Sequence, residues 1–144
     1  MKQINFDMDG TIADFYNVPN WLEYLLREDT LPYEAAEPLV DMKRLTDEIN
    51  RLQLLGYEVN IISWASKNAT KEYAARIRRA KVEWLRKHLP QVHFDHIHIV
   101  QYGAPKQRYA SGVLFDDESG NRNKWNGIAF DEKEILNILS KISY

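Results

Sequence analysis

Short apolar runs alternate along this chain with longer stretches in which apolar residues recur every three or four positions. The short runs are rich in β-branched and aromatic residues, as in buried strands. They predict five strands, over residues 3–7, 57–62, 97–100, 112–115 and 127–130. The longer stretches have the period of amphipathic helices and predict three of them, over residues 40–55, 68–88 and 132–142.

This order of elements predicts an α/β fold with a mostly parallel five-stranded sheet covered by helices on both faces. Residues 14–38 break the pattern, because three prolines divide them and only residues 21–27 suggest a short helix. We interpret this segment as a short cap-like insertion. The sequence contains no internal repeat or linker, so we expect residues 1–144 to form a single domain.

Composition narrows the class of protein further. The net charge is −2, which gives no general attraction to nucleic acid or to an anionic membrane. There is no cysteine, and therefore neither a disulfide framework nor a thiolate zinc site. No apolar run approaches the roughly 20 residues that span a bilayer. A strand is also predicted from residue 3, which leaves no room for a signal peptide, so we expect a cytoplasmic protein without membrane contact. The sequence is compatible with an oligomer.

Polar residues that suit phosphate chemistry are grouped in four short segments. They are Asp7-Met8-Asp9-Gly10-Thr11, Ser63, Lys106 and the pair Asp116-Asp117. Three of the four directly follow predicted strands, and ligands of open α/β sheets bind beyond the carboxyl ends of strands. Carboxylates, a hydroxyl and an ammonium would therefore meet at one edge of the sheet, which indicates phosphoryl transfer with Mg²⁺.

Each residue type has a definite role in such a reaction. We assign Asp7 as the nucleophile that forms an aspartyl-phosphate, and Asp9 as the acid and base that serves the leaving oxygen and then water. Lys106 would offset the negative charge and orient Asp7, and Ser63 would contact a phosphate oxygen. The residues expected to bind the phosphate of the substrate are Gly10, Thr11, Ser63 and Lys106. The expected Mg²⁺ ligands are Asp7, Asp9, Asp116 and Asp117, because magnesium prefers hard oxygen donors.

This set of motifs resembles that of the haloacid dehalogenase-like phosphatase superfamily. The most specific part is Phe6-Asp7-Met8-Asp9-Gly10-Thr11, and Ser63, Lys106 and Asp116 fall where the second, third and fourth motifs of that superfamily would lie. The resemblance implies a Rossmann-like three-layer sandwich, bound Mg²⁺, nucleophilic Asp7 and acid/base Asp9.

A narrower resemblance is to the 5′(3′)-deoxyribonucleotidases. It is carried by Ala13-Asp14-Phe15 after the first motif, by the segments 81–85 and 114–117, and by residues 123–131. It implies a nucleoside monophosphate as substrate, with Phe15 beside the base or sugar. Two differences from that group are the short segment 14–38 in place of a longer helical cap, and Thr11 in place of a branched apolar residue.

Other interpretations stay open at this point. Eight basic residues between Lys67 and Lys87 form either a nucleic-acid contact or the solvated side of a helix. The phosphatase could then act on macromolecular substrates, such as nucleic-acid 3′-phosphate ends or phosphoproteins. A non-catalytic binding or regulatory module on the same fold is a third interpretation. Histidines at 88, 93, 96 and 98 lack the accompanying ligands of a zinc site, which favours packing or surface roles.

Overall fold

A five-stranded parallel sheet forms the centre of the structure, a computed structural model that describes residues 2–143. Met1 and Tyr144, the ends of the predicted domain, lie outside the described residues. The strands are β1 (Gln3–Phe6), β2 (Glu58–Trp64), β3 (His96–Val100), β4 (Val113–Phe115) and β5 (Ile128–Phe130). Their order across the sheet is β3-β2-β1-β4-β5, and every pairing is parallel.

Helices flank this sheet on both faces. They are α1 (Trp21–Leu26), α2 (Leu31–Ala35), α3 (Met42–Leu54), α4 (Lys71–His88), α5 (Ser119–Lys124) and α6 (Ile135–Lys141). Successive side chains of a strand point to opposite faces. On β2, Ile61 accordingly lies in the core cluster that contains Ile49 of α3 and Leu139 of α6. The next residue, Ile62, lies in a different cluster, with Trp125. The predicted Rossmann-like α/β fold is confirmed.

Three elements differ from the sequence prediction. Strand β2 runs through Trp64, two residues beyond its predicted end, so Ser63 lies inside the strand rather than after it. Helix α2 occupies part of the segment predicted to be irregular, and α5 lies between two strands that were expected to follow one another directly. Both helices are short, at five and six residues, so an apolar period has too few turns in which to repeat.

The two ends of segment 14–38 lie side by side, next to the first motif. An antiparallel bridge joins Ala13 to Pro38, and the amide of Leu39 donates to the carbonyl of Ile12 at 2.9 Å. Between these points lie a 3₁₀ turn over Phe15–Asn17 and the helices α1 and α2.

Hydrogen bonds from α4 hold this segment in place, among them those from Tyr73 to the carbonyl of Asp29 and from Arg76 to the carbonyl of Glu28. The Trp84 indole on α4 donates to the carbonyl of Ala36 at 2.8 Å, and both residues are buried. Segment 14–38 is therefore fixed against α4 as well as against the end of the first motif. Within the described residues, no helix combines the length and apolar character needed to cross a membrane.

Candidate active site

The predicted polar residues converge at the carboxyl edge of three neighbouring strands, β2, β1 and β4. Strand β1 lies between β2 and β4, with Phe6 in register with Ile61 on one side and with Phe115 on the other. Asp7 and Asp116 therefore follow their strands in step, and the Asp7 amide donates to the carbonyl of Phe115 at 2.9 Å. The sheet register places the first and fourth motifs side by side at its carboxyl edge.

Lys106 joins these two motifs through its ammonium group. Its Nζ lies 3.0 Å from Oδ1 of Asp7 and 2.7 Å from Oδ2 of Asp116. All three residues are buried, with Lys106 only 3% exposed. The side-chain amide of Asn121 on α5 also donates to Asp116 Oδ2, at 3.1 Å, and the backbone N–H of Glu118 donates to Asp116 Oδ1 at 2.9 Å. The Asp116 carboxylate is therefore held at both of its oxygens.

Thr11 connects the nucleophile candidate Asp7 to Asp117. Its hydroxyl lies 3.1 Å from Asp7 Oδ2 and 3.1 Å from Asp117 Oδ1, and it accepts a hydrogen bond from the Asp117 amide at 3.1 Å. Gly10 has a φ of 79°, a conformation that L side chains rarely adopt. This turn brings the Gly10 Cα against the Asp117 carboxylate, so that the first and fourth motifs are in contact.

Three carboxylates form a candidate metal cluster. One oxygen from each of Asp7, Asp116 and Asp117 lies within 4.8 Å of the other two. Carboxylate oxygens are the hard ligands that Mg²⁺ prefers, and the chemistry of this donor set fits that ion. Asp9, the fourth predicted ligand, does not belong to the cluster found among residues 2–143; its carboxylate contacts Lys81 instead.

The electrostatics of the cluster follow from crowding and burial. Burial alone would raise the pKa of the Asp7 carboxyl, but the Lys106 ammonium reverses this and holds that pKa below its usual range. Burial, followed by the charge of Asp7, raises the pKa of Asp116 to about 6 and that of Asp117 to about 8. Burial also raises the pKa of Asp9, although the positive charge of a second buried lysine, which lies on α4, opposes this increase.

That second lysine, Lys81, is a site residue that the sequence reasoning missed. It was grouped with the basic residues of the 67–87 stretch, yet it is 1% exposed, and its Nζ lies 3.0 Å from Asp9 Oδ2. The same Nζ lies 2.7 Å from Ser63 Oγ and 2.7 Å from the carbonyl oxygen of Trp64. Helical spacing could have found it, because Lys81 follows Ile77 by four residues and lies on the buried face of α4.

A cavity of about 390 Å³ opens over the two motif-one carboxylates. Asp7, Asp9 and Lys106 lie in its lining together with the aromatic residues Phe15, Tyr16, Trp21, Tyr33, Trp64 and Tyr102. Phe15 is buried and contacts Tyr16, Trp21 and Tyr33, with ring centroids 4.7–5.4 Å apart. The segment 14–38 thus supplies an aromatic wall next to the carboxylates.

Other polar groups singled out in the sequence lie away from this cavity or at its rim. Apart from Lys81, the basic residues between 67 and 87 are exposed, and Lys67 lies at the cavity. His96 and His98 stack on the edge strand β3, with ring centroids 5.7 Å apart. Neither histidine belongs to the candidate metal cluster identified in the described part of the chain.

Comparison with known proteins gave a match to a family model. The family described as "5' nucleotidase, deoxy (Pyrimidine), cytosolic type C protein" matches residues 31–141, more than three quarters of the chain. The matched stretch includes Ser63, Lys81, Lys106 and the pair Asp116-Asp117, whereas Asp7 and Asp9 lie before it. A search of curated proteins found no match.

Proposed function

Because the chain belongs to this family of nucleotide phosphomonoesterases of the haloacid dehalogenase-like superfamily, we propose that it hydrolyses nucleoside monophosphates through an aspartyl-phosphate on Asp7. The observation that carries the proposal is the position of Asp7 and Asp9, which both line the aromatic cavity. A phosphate group near these carboxylates would leave room in the cavity for a nucleoside.

Asp7 is suited to be the nucleophile. Its carboxylate would attack phosphorus while the bond from phosphorus to the leaving oxygen breaks, and Asp9 would donate a proton to that oxygen. Water would then attack the phosphorus of the aspartyl-phosphate and give a proton to Asp9, while the bond from phosphorus to the Asp7 oxygen breaks. This step releases phosphate and restores the Asp7 carboxylate. Lys106, 3.0 Å from Asp7, would orient the nucleophile and balance charge on the phosphoryl group.

Asp7, Asp116 and Asp117 would hold Mg²⁺. The ion, when bound, would stabilise the negative charge that develops on the phosphoryl oxygens. Thr11 and Gly10 serve this arrangement through the hydrogen bonds and close packing that fix Asp117 beside Asp7.

The cavity supports a nucleoside as the organic part of the substrate. Its volume, about 390 Å³, is within the range of roughly 300–1,000 Å³ usual for small-molecule sites. The six aromatic residues in its lining offer flat apolar surfaces to a base, and base–aromatic stacking contributes about 1–3 kcal/mol per base. These features favour a mononucleotide over a phosphorylated macromolecule.

The test is phosphate release from a panel of substrates in the presence of Mg²⁺. The panel contains ribo- and deoxyribonucleoside monophosphates, sugar phosphates and 3′-phosphorylated oligonucleotides. Asp7→Asn serves as the blank. Asp14→Asn, at a carboxylate that accepts hydrogen bonds from the nearby Asn17 side chain, serves as its matched control.

We expect release from nucleotides by the parent and by Asp14→Asn, but not by Asp7→Asn. Equal release by Asp7→Asn and the parent would refute Asp7 as the nucleophile. Release from oligonucleotides alone would refute the mononucleotide substrate and favour a macromolecular one.

A further inference from the structure

Lys81 occupies an unusual position for a lysine. Lysine is rarely buried without partners, because removing its charge from water is costly. Here the ammonium is almost fully enclosed and has three oxygen acceptors, on Asp9, Ser63 and Trp64. It also lies 5.0 Å from the centroid of the Tyr33 ring, which lines the cavity. At 1% exposure it is too enclosed to contact a substrate itself, so any effect on the reaction passes through these neighbours.

The chemistry of an ammonium fixes the role of each neighbour. A lysine ammonium only donates hydrogen bonds, so Ser63 Oγ must act as acceptor toward Lys81. The single hydroxyl proton of Ser63 is then left to point elsewhere. Likewise Oδ2 of Asp9 accepts from Lys81 at 3.0 Å, which leaves Oδ1 as the oxygen available to a substrate.

We propose that Lys81 is a positioning residue that aims the Asp9 carboxyl at the leaving oxygen, with Ser63 and Trp64 as the acceptors that hold its ammonium in place. This inference rests on the proposed function, since it assigns Lys81 a part in that reaction. Lys106 forms ion pairs with Asp7, the proposed nucleophile, and with Asp116, whereas Lys81 forms one with Asp9, the proposed acid. Each of the two catalytic carboxyls therefore has its own ammonium group.

The test uses Lys81→Met, which keeps an unbranched side chain only one atom shorter but removes the ammonium. Lys87→Met, the same change at an exposed position of α4, is the control. Two substrates are compared: a nucleoside 5′-monophosphate, whose leaving oxygen needs a proton, and p-nitrophenyl phosphate, whose leaving group departs without one. The measured quantity is kcat/KM, because it reports the steps up to the first irreversible one, in which the leaving group departs.

We expect Lys81→Met to lower kcat/KM for the nucleotide at least tenfold more than for the aryl phosphate. The loss should largely disappear in an Asp9→Asn background, because the group that Lys81 positions is then absent. The Lys87→Met control should match the parent on both substrates. An equal loss on both substrates, or an undiminished loss in the Asp9→Asn background, would overturn the inference.

The failure of this inference can be distinguished from the failure of the proposed function. If Lys81→Met does not fold, judged by circular dichroism, Lys81→Gln takes its place, since it keeps an N–H donor without the charge and should show the same substrate dependence more weakly. If Asp7→Asn releases as much phosphate as the parent, the proposed function fails and the role of Lys81 fails with it. If Asp7→Asn is inactive and Lys81→Met affects both substrates alike, only the inference about Lys81 fails.

Discussion

Gly10→Ala provides a direct test of the contact between the first and fourth motifs. A Cβ built on Gly10 would overlap Oδ2 of Asp117 and lie 2.8 Å from its Cγ, whereas ordinary contact begins at 3.4 Å. Tyr16 Cε2, at 3.1 Å, closes the other side. The carboxylate of Asp117 therefore has to move by more than about 0.5 Å, which is the tolerance of a working site.

The size of the effect can be separated into two parts. Alanine at a positive φ costs about 1–2 kcal/mol wherever it occurs. Gly56→Ala isolates this part, because Gly56 has a φ of 95° at the end of α3 and a Cβ there meets nothing within 4 Å. Displacement of Asp117 adds the second part. Since a misplacement of about 1 Å can reduce a rate roughly 100-fold, we expect a loss of Mg²⁺-dependent activity of about ten- to hundredfold in Gly10→Ala alone.

The assay is phosphate release from a nucleoside monophosphate across a range of Mg²⁺ concentrations. Both alanine variants should melt a few degrees below the parent, but Gly56→Ala should keep the parent's turnover and half-saturating Mg²⁺. Gly10→Ala should need about tenfold more Mg²⁺, which corresponds to about 1.4 kcal/mol. If the two variants have the same half-saturating Mg²⁺ and turnover, the proposed coupling of Gly10 to the metal site is wrong.

Three more predictions concern the charges and the cavity. Mg²⁺ at about 100 times its Kd should stabilise the parent by about 2.7 kcal/mol, and Asp116→Asn should lose most of that gain; equal stabilisation in thermal melts would count against Asp116 as a ligand. Lys106→Met should destabilise the metal-free protein by about 3–5 kcal/mol in denaturant unfolding, because it leaves Asp7 and Asp116 buried without their cation, and a loss below about 1 kcal/mol would contradict this. Tyr16→Ala should raise KM for nucleotides about tenfold but leave KM for a sugar phosphate nearly unchanged, since only the nucleotide has a base to stack; equal changes would exclude stacking on this residue.

The sheet and most of its helices could be predicted from the sequence, because their patterns repeat over enough residues. The 18 residues of α4 give about five turns of apolar spacing, and the hydroxyl of its cap Thr70 accepts from the Tyr73 amide as an N-cap should. The short helices α2 and α5 give no such repeat. Their formation depends on packing, as with Tyr33 of α2 against Phe15, which no local pattern reports.

The candidate site was predictable to the extent that its residues follow strands. Asp7 and Asp116 are placed by the register of β1 and β4, which parallel pairing implies. Lys81 was not predicted as a site residue because it lies on a helix, 72 residues after Asp9 in the chain. In addition, the other lysines and arginines of the 67–87 stretch are exposed. Lys81 is buried because it follows Ile77 by four residues on α4 and therefore lies on the same buried face of that helix.

Charge balance links the two buried ammonium groups, the metal and the substrate. The ion pairs described for Asp7, Asp9 and Asp116 are with Lys81 and Lys106, and Asp117 adds a fourth carboxyl to the same space. When Asp117 is ionised, the three carboxylates of Asp7, Asp116 and Asp117 face the single ammonium of Lys106, so the dianion of a phosphate monoester would be repelled there. A divalent cation held by Asp7, Asp116 and Asp117 would offset this excess. The arrangement therefore favours entry of the cation before the nucleotide. The two buried lysines have a related effect, because each reduces the repulsion among the carboxylates that it contacts.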